Sequence, residues 1–324
     1  MRPAALKALI TGISGFVGSH LAEYLLGQDL AVVGITNLEF VPPDGEASRL
    51  TLFRADLRER EPVARIIEET RPDLVFHLAA QAHVPTSWAD PAGTLVDNIL
   101  FQLHVFQGLL EAGLDVPVLV PGSNEEYGYI RPDELPVRED NPLRPTSPYA
   151  VSKVAQDMLA YQYSLTHGLK CIRIRPFNHT GPRQGAGYVV PSLAKQIAEA
   201  EAGVVPPVVK VGNLDAQRDF TDVRDVVRAY HLALLRCVPG EVYNLGSGQA
   251  VPIRRVLDLL LAQSRIPLKI ETETVRLRPW DTAVSVCDAT KFRCQTFWQP
   301  EIPLEQTLSD TLDYWRQQIN RVKS

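Results

Sequence analysis

Two hydrophobic rhythms alternate through the first half of the chain. Short apolar runs bounded by turn-forming residues stand near Leu6–Thr11, Leu30–Thr36, Leu50–Phe53, Leu74–Leu78, Val116–Val120 and Cys171–Arg175. Between them, around Phe16–Leu26, Pro62–Glu69, Thr94–Ala112 and Pro148–Thr166, apolar residues return every three or four positions. The first rhythm suits strands and the second suits helices. Near-continuous apolar strands separated by helices predict an α/β fold, a doubly wound parallel sheet covered on both faces. A further run, Glu241–Leu245, follows a helical stretch at Val223–Leu235 and is expected to rejoin that sheet.

Prolines at positions 132, 136, 142, 145 and 148 exclude continuous helix there and predict a long loop that delivers the chain to the helix starting at Pro148. Beyond Pro176 the alternation weakens. The expected division is a sheet domain over residues 1–176 plus about 221–250, and a smaller mixed α/β substrate-binding domain over about 177–220 and 251–324.

Composition narrows the function classes. A length of 324 residues asks for one large or two joined cores, and 45% hydrophobic with 22% charged residues is ordinary for a globular protein. A formal net charge of −5 with no dense basic block argues against nucleic acid as a partner. The four cysteines form no CxxC pair, so neither a metal site nor a disulfide framework is indicated. No apolar run approaches the roughly 18 to 20 residues of a membrane span. The first strand begins within six residues, leaving no room for a signal peptide, so a cytoplasmic location is expected.

Chemistry enters at Gly12, Gly15 and Gly18, where the first strand gives way to the first helix. Glycines here allow a tight turn, close approach of a pyrophosphate and close packing of helix on strand, while Phe16 and Val17 open the helix whose amino terminus would face the phosphates. This predicts a Rossmann-like dinucleotide site. Asp56-Leu57 after the third strand offers a carboxylate to an adenine amino group, and the small residues of Leu78-Ala79-Ala80 suit a chain passing close to the cofactor. Asn37 ends the second strand, where an acid suits NAD and an arginine suits NADP; asparagine leaves the choice open, so the cofactor is NAD(P).

Tyr149 and Lys153 are four residues apart, one turn of helix, so phenol and ammonium share a face. A phenol near its usual pKa of about 10 is a poor base, and bringing it to about 7 takes ~4 kcal/mol of favourable interaction with the phenolate. A fixed cation supplies interaction of that sign. With Ser123 upstream, the set points to a nicotinamide-dependent enzyme acting on an alcohol or carbonyl.

The glycine turn, Ser123 four residues before Tyr127-Gly128, and Tyr149-x-x-x-Lys153 resemble the extended short-chain dehydrogenases/reductases that act on nucleotide sugars, the NAD-dependent epimerase/dehydratase family. The likeness runs nearly end to end. Gly122-Ser123-Asn124-Glu125-Glu126-Tyr127-Gly128, Phe177-Asn178-His179-Thr180-Gly181-Pro182 and Arg218-Asp219-Phe220-Thr221-Asp222 look most like the GDP-4-keto-6-deoxy-D-mannose reductases, with the GDP-mannose 4,6-dehydratases a related branch. The resemblance implies that Ser123 bonds the reacting sugar oxygen, Tyr149 transfers its proton and Lys153 also bonds the nicotinamide ribose. It adds Pro176 to the cofactor set. Asn178, Val190, Arg218, Arg278 and Asp281 form the implied substrate set, the two arginines on the diphosphate and Asp281 near the nucleotide ribose. Glu125 stands where dehydratases carry the base that removes the C5 proton, whereas Asn124 and Ser123 depart from the usual dehydratase string and favour simple reduction. The expected reaction is NAD(P)H-dependent reduction of the C4 carbonyl of a GDP-4-keto-6-deoxyhexose; the alternative is a 4,6-dehydratase or 4-epimerase with bound NAD(P)+. The family's dimer contact, made by the helices at 94–112 and 148–166, implies a homodimer.

Overall fold

A computed structural model describes residues 5–38, 40, 47–273 and 282–323. The chain opens with β1 (Lys7–Thr11), α1 (Phe16–Gly27), β2 (Ala31–Thr36), β3 (Leu50–Arg54), α2 (Arg60–Thr70) and β4 (Leu74–His77). There follow a short α3 (Val84–Ala89), the long α4 (Pro91–Glu111), β5 (Pro117–Pro121), the proline-rich loop, α5 (Pro148–His167), β6 (Lys170–Pro176) and β7 (Asn178–Thr180). Next are α6 (Val189–Glu201), β8 (Val208–Val211), β9 (Gln217–Asp222), α7 (Val223–Arg236), β10 (Val242–Leu245), β11 (Ala250–Pro252) and α8 (Ile253–Leu261). The chain closes with β12 (Lys269–Thr272), β13 (Val284–Ser285), α9 (Thr290–Thr296) and α10 (Leu304–Lys323). Helix α3 was not expected; at six residues it is too short to show a period.

Local sequence explains where the two long helices start. Asp90 caps α4 by accepting from the Gly93 N–H, and Pro91 occupies a first-turn position that needs no donor. Ser147 and Pro148 do the same for α5, which ends at Gly168 with φ 71°, a left-handed cap that suits glycine.

Seven strands form one sheet in the order β10-β6-β5-β4-β1-β2-β3, with every neighbouring pair parallel. The order reverses beside β1, which has β4 on one side and β2 on the other, and such a reversal opens a crevice at the carboxyl ends of the strands. Successive strand residues enter opposite cores, as the pleat requires. Ala8, Ile10, Leu74, Phe76 and Leu119 join α1 and α7 on one face; Leu9, Val75, Val118 and Val120 join α2, α4 and α5 on the other. Away from the sheet, β11-β9-β13 with β7 and the pair β8-β12 sit beside a third core built from α6, α8 and α10. Among the described residues no helix is long and apolar enough to cross a membrane.

Candidate active site

The cofactor and catalytic candidates gather along the carboxyl edge of the sheet. Gly12 follows β1 with φ +72°, and a Cβ there would stand 2.9 Å from both Cα and N of Ala79. At Gly18 a Cβ would meet the Gly12 carbonyl oxygen at 2.3 Å. Gly15 caps α1 without a side-chain bond, and the first turn carries no acid. The amino terminus of α1 therefore keeps free donors and an unopposed positive end, which fits the pyrophosphate of a dinucleotide. Phe16 lies flat on His179, ring centroids 6.1 Å apart and planes within 5°, and Val17 packs on the adjoining core. Ala79 donates its N–H to Thr11 Oγ1 at 3.2 Å, drawing the Leu78–Ala80 segment against the turn. Asn37 is exposed just past β2. Asp56, past β3, has its oxygens engaged by Arg58, with Nη2 to Oδ2 at 2.6 Å, and Leu57 is buried beside it.

Ser123 follows β5 and starts a short 3-10 turn over Asn124–Glu126. Its Oγ accepts the Glu125 N–H at 3.1 Å. Tyr149 and Lys153 lie in the first turns of α5 and are both buried, at 8% and 6% exposure. Lys153 Nζ donates to the Pro121 carbonyl at 2.8 Å, which ties α5 to the end of β5. Burial holds the Tyr149 phenol well above its ordinary range; the hydrogen bond with Ser123 pulls the other way, and the nearby Tyr188, Glu125 and Glu126 push it further up. Burial also draws the Lys153 ammonium down to about 8, opposed by the Glu126 carboxylate. The expected lowering of the phenol by the lysine is not seen here: burial dominates, and the opposing influence comes from Ser123. Such a phenol rests protonated at neutral pH, as an unperturbed one also would.

Beneath these residues lies a buried ionic cluster. Arg175 on β6 reaches Glu126 Oε2 with Nε at 3.1 Å, donates through Nη2 to Asp157 on α5, and donates through Nη1 to the Tyr127 hydroxyl at 3.0 Å. Arg173 adds a second contact to Asp157 at 3.2 Å. Tyr127 donates to Asn244 Oδ1 on β10 at 2.6 Å. On the α4 side, buried Asn98 accepts the Gln81 N–H at 2.7 Å and donates to Ser152 Oγ at 2.9 Å, setting the distance between the loop after β4 and α5.

The candidate substrate side is built from β6, β7, β9 and α6. Pro176 ends β6, and Asn178 follows with its Oδ1 buried and without a hydrogen bond. Val190, 1% exposed, sits in the third core at the start of α6. Arg218 Nη1 donates to the carbonyls of Gln217 and Thr282 at 2.8 and 2.7 Å. Next to it, fully buried Asp219 accepts from Ser247 N and Oγ, Gly248 N and Cys287 N at 2.6–3.2 Å, knitting β9 to the loop after β10 and to the strand region near 287. Arg278 and Asp281 lie outside the described residues.

The profile of the GDP-mannose 4,6 dehydratase family matches residues 9–311. The chain belongs to that family. It is 35% identical to a GDP-6-deoxy-D-mannose reductase of Pseudomonas aeruginosa over 97% of this chain and 98% of the relative. It is 28% identical to a UDP-glucose 4-epimerase of Mycolicibacterium smegmatis over 96% and 99%. Among solved structures, RMD from Pseudomonas aeruginosa in complex with NADPH superposes with a TM-score of 0.85 at 34% identity, covering 97% of this chain and all of the other. A Thermus thermophilus UDP-glucose 4-epimerase in complex with NAD gives 0.84 at 30% identity, over 96% and 99%. The chain is therefore an NAD(P)-dependent oxidoreductase of the extended short-chain type.

Several residues that shape the site in this family member escaped the sequence reading. Arg173 and Arg175 interrupt an apolar strand, and Asn98 and Gln102 interrupt the apolar face of α4; charged or amide groups at core positions are the signal that was available. Glu126 and Asp219 carried no such signal, because each sits in a loop or strand rich in other polar residues.

Proposed function

We propose that this protein reduces the C4 carbonyl of a GDP-linked 4-keto-6-deoxyhexose, GDP-4-keto-6-deoxy-D-mannose, to give GDP-D-rhamnose. The observation that carries the reading is the Ser123 hydroxyl bonded to the buried Tyr149 phenol, a hydroxyl pair that suits the oxygen of a sugar carbonyl. A carbonyl undergoing reduction takes a proton from such a group. The end-to-end likeness to a GDP-6-deoxy-D-mannose reductase supports the same choice.

The glycine turn with the amino terminus of α1 would hold the cofactor pyrophosphate, and the ends of β2 and β3 its adenosine. When bound, NAD(P)H would supply the hydride. Ser123 would hydrogen-bond the substrate carbonyl, a stabilisation of about 3 kcal/mol by comparison with single oxyanion donors. Tyr149 gives its proton to the same oxygen as charge builds there, and Lys153 lowers the cost of the phenolate left behind. Asn178, with an unengaged buried carbonyl oxygen, and Arg218 would face the nucleotide sugar, with the region around β7, β9 and α6 as its platform. Partly exposed Glu125, whose charge acts on Tyr149, favours a second reading in which a 4,6-dehydratase or epimerase recycles its cofactor. Exposed Val151, Met158, Tyr161 and Leu165 on α5 suit a two-fold contact with a second copy in the cytoplasm.

Stoichiometric oxidation of added NAD(P)H by GDP-4-keto-6-deoxymannose is expected, as against the UDP- and dTDP-linked sugars. Tyr149→Phe should lose turnover by at least about 100-fold while retaining cofactor affinity. Cofactor recycling without net oxidation would transfer the assignment to the second reading.

A further inference from the structure

Residues 181–188 join β7, which begins at Asn178, to α6, which carries Val190 in its first turn. The segment starts and ends on the candidate substrate side, yet its middle is fastened to α1, the helix whose amino terminus faces the pyrophosphate site. His20 Nε2 donates to the Pro182 carbonyl at 2.8 Å, and Arg183 Nη2 donates to His20 Nδ1 at 2.6 Å and to Glu23 Oε2 at 2.7 Å. One helical turn earlier, Phe16 stands edge-on to the His20 ring, centroids 5.6 Å apart, and stacks on His179 beside Asn178. Gln184 ties the segment back to β7: its Oε1 accepts the Thr180 hydroxyl at 2.7 Å and its Nε2 donates to the His179 carbonyl at 3.1 Å. At the far end the Tyr188 hydroxyl donates to the Ala82 carbonyl, in the loop after β4, at 3.2 Å. Arg183 holds a left-handed backbone, φ +73°, which is costly for any residue but glycine. Local backbone preference works against that conformation, and the side-chain clasp on α1 holds it.

We infer that Arg183 is a positioning residue that couples the two ligand sites: through its clasp with His20, a dinucleotide at the amino terminus of α1 sets the 181–188 segment for the nucleotide sugar. The inference rests on the reading of the glycine turn as the pyrophosphate site and of β7 and α6 as the nucleotide-sugar platform. A dinucleotide bound at the turn immobilises α1 and the clasp with it. The segment is then already ordered when the nucleotide sugar arrives, and the second ligand binds more tightly for it. Coupling of this kind is reciprocal, so a nucleoside diphosphate bound first tightens the cofactor by the same factor.

The test is calorimetric titration of GDP into the full chain, with and without saturating NADPH or NADH, whichever binds more tightly. Wild type should bind GDP about 5-fold or more tightly with the cofactor present, and the reverse titration should return the same factor. Arg183→Gly keeps the left-handed backbone, which glycine adopts freely, and removes only the clasp, so the factor should fall below about 2. His20→Ala opens the clasp from α1 and should do likewise. A purely structural clasp would lower the melting temperature, or weaken both ligands, and leave the factor unchanged. That result in either folded variant, or no coupling in wild type, overturns the inference. If wild type prefers UDP to GDP, the GDP assignment fails and the factor is read with UDP. No readout here needs turnover, so failure to reduce a GDP-linked sugar counts against the reductase assignment alone.

Discussion

Helix α1 carries two glycines whose replacement by alanine should have opposite effects. At Gly18 the new methyl would stand 2.3 Å from the Gly12 carbonyl oxygen and 2.8 Å from Ile13 Cα, both main-chain atoms that no rotamer change can move aside. At Gly27 nothing lies within 4 Å of it. Helix propensity alone favours alanine over glycine by about 1 kcal/mol in a helix interior and by less at an end. Overpacking costs about 1 to 3 kcal/mol, and against two main-chain atoms the upper figure applies, so Gly18→Ala should lose about 2 kcal/mol net. With an unfolding entropy of about 2.1 cal/mol/K per residue over this chain, that is a fall in Tm of about 3 °C. Relief of the clash must lift α1 away from the Gly12 turn and so misdirect the donors at its amino terminus. Loss of one charge-assisted hydrogen bond to the pyrophosphate, about 2 kcal/mol, corresponds to a roughly 30-fold rise in Kd for NAD(P)H. Differential scanning calorimetry and cofactor fluorescence titration measure both quantities. Gly27→Ala should leave Kd unchanged and Tm equal or slightly higher. If Gly18→Ala binds the cofactor as tightly as wild type, the assignment of this turn to the phosphates is wrong.

Asp219→Asn replaces one of two oxygens that each accept two donors with an amide that donates; it should cost about 3 kcal/mol, or about 4 °C in Tm by calorimetry, and weaken the nucleotide sugar more than the cofactor. His20 donates through Nε2 to the Pro182 carbonyl at 2.8 Å while Nδ1 accepts from Arg183. Burial, then the Arg183 charge, lower it from 6.5 to about 4. Between those values the unfolded chain binds a proton that the native state refuses, so stability falls as pH drops through that window and levels off below it. Urea titrations from pH 7 to 4 should show this loss, at most about 3 kcal/mol from this group, and His20→Gln should flatten it.

The sheet was readable because its strands obey a simple period. Seven of its strands and the helices at α1, α2, α4, α5 and α7 fall within a few residues of where the hydrophobic pattern put them. Strand order was not readable, since pairing β4 with β1 depends on contacts 66 residues apart, such as Thr11 to His77. The glycine turn, Ser123, Tyr149 and Lys153 stood out because their chemistry demands fixed spacing. The groups supporting them, Glu126, Asp157, Arg175 and Asn244, come from four separate stretches and meet only in three dimensions. Burial is also a property of the fold, and it reversed the expected balance at Tyr149.

Phe292 and Trp298, from the carboxyl-terminal part of the chain, are fully enclosed in the same core as β1, α1 and α7, and Trp298 Nε1 donates to the Asp225 carbonyl at 3.0 Å. The final segment is therefore a keystone of the core beneath the seven-stranded sheet as well as, through α10, of the third core with α6 and α8. A scaffold joined in this way cannot trade its tail like a cassette. New sugar preferences in such an enzyme have to arise by changing side chains in place, and chimaeras spliced near residue 250 should yield insoluble protein.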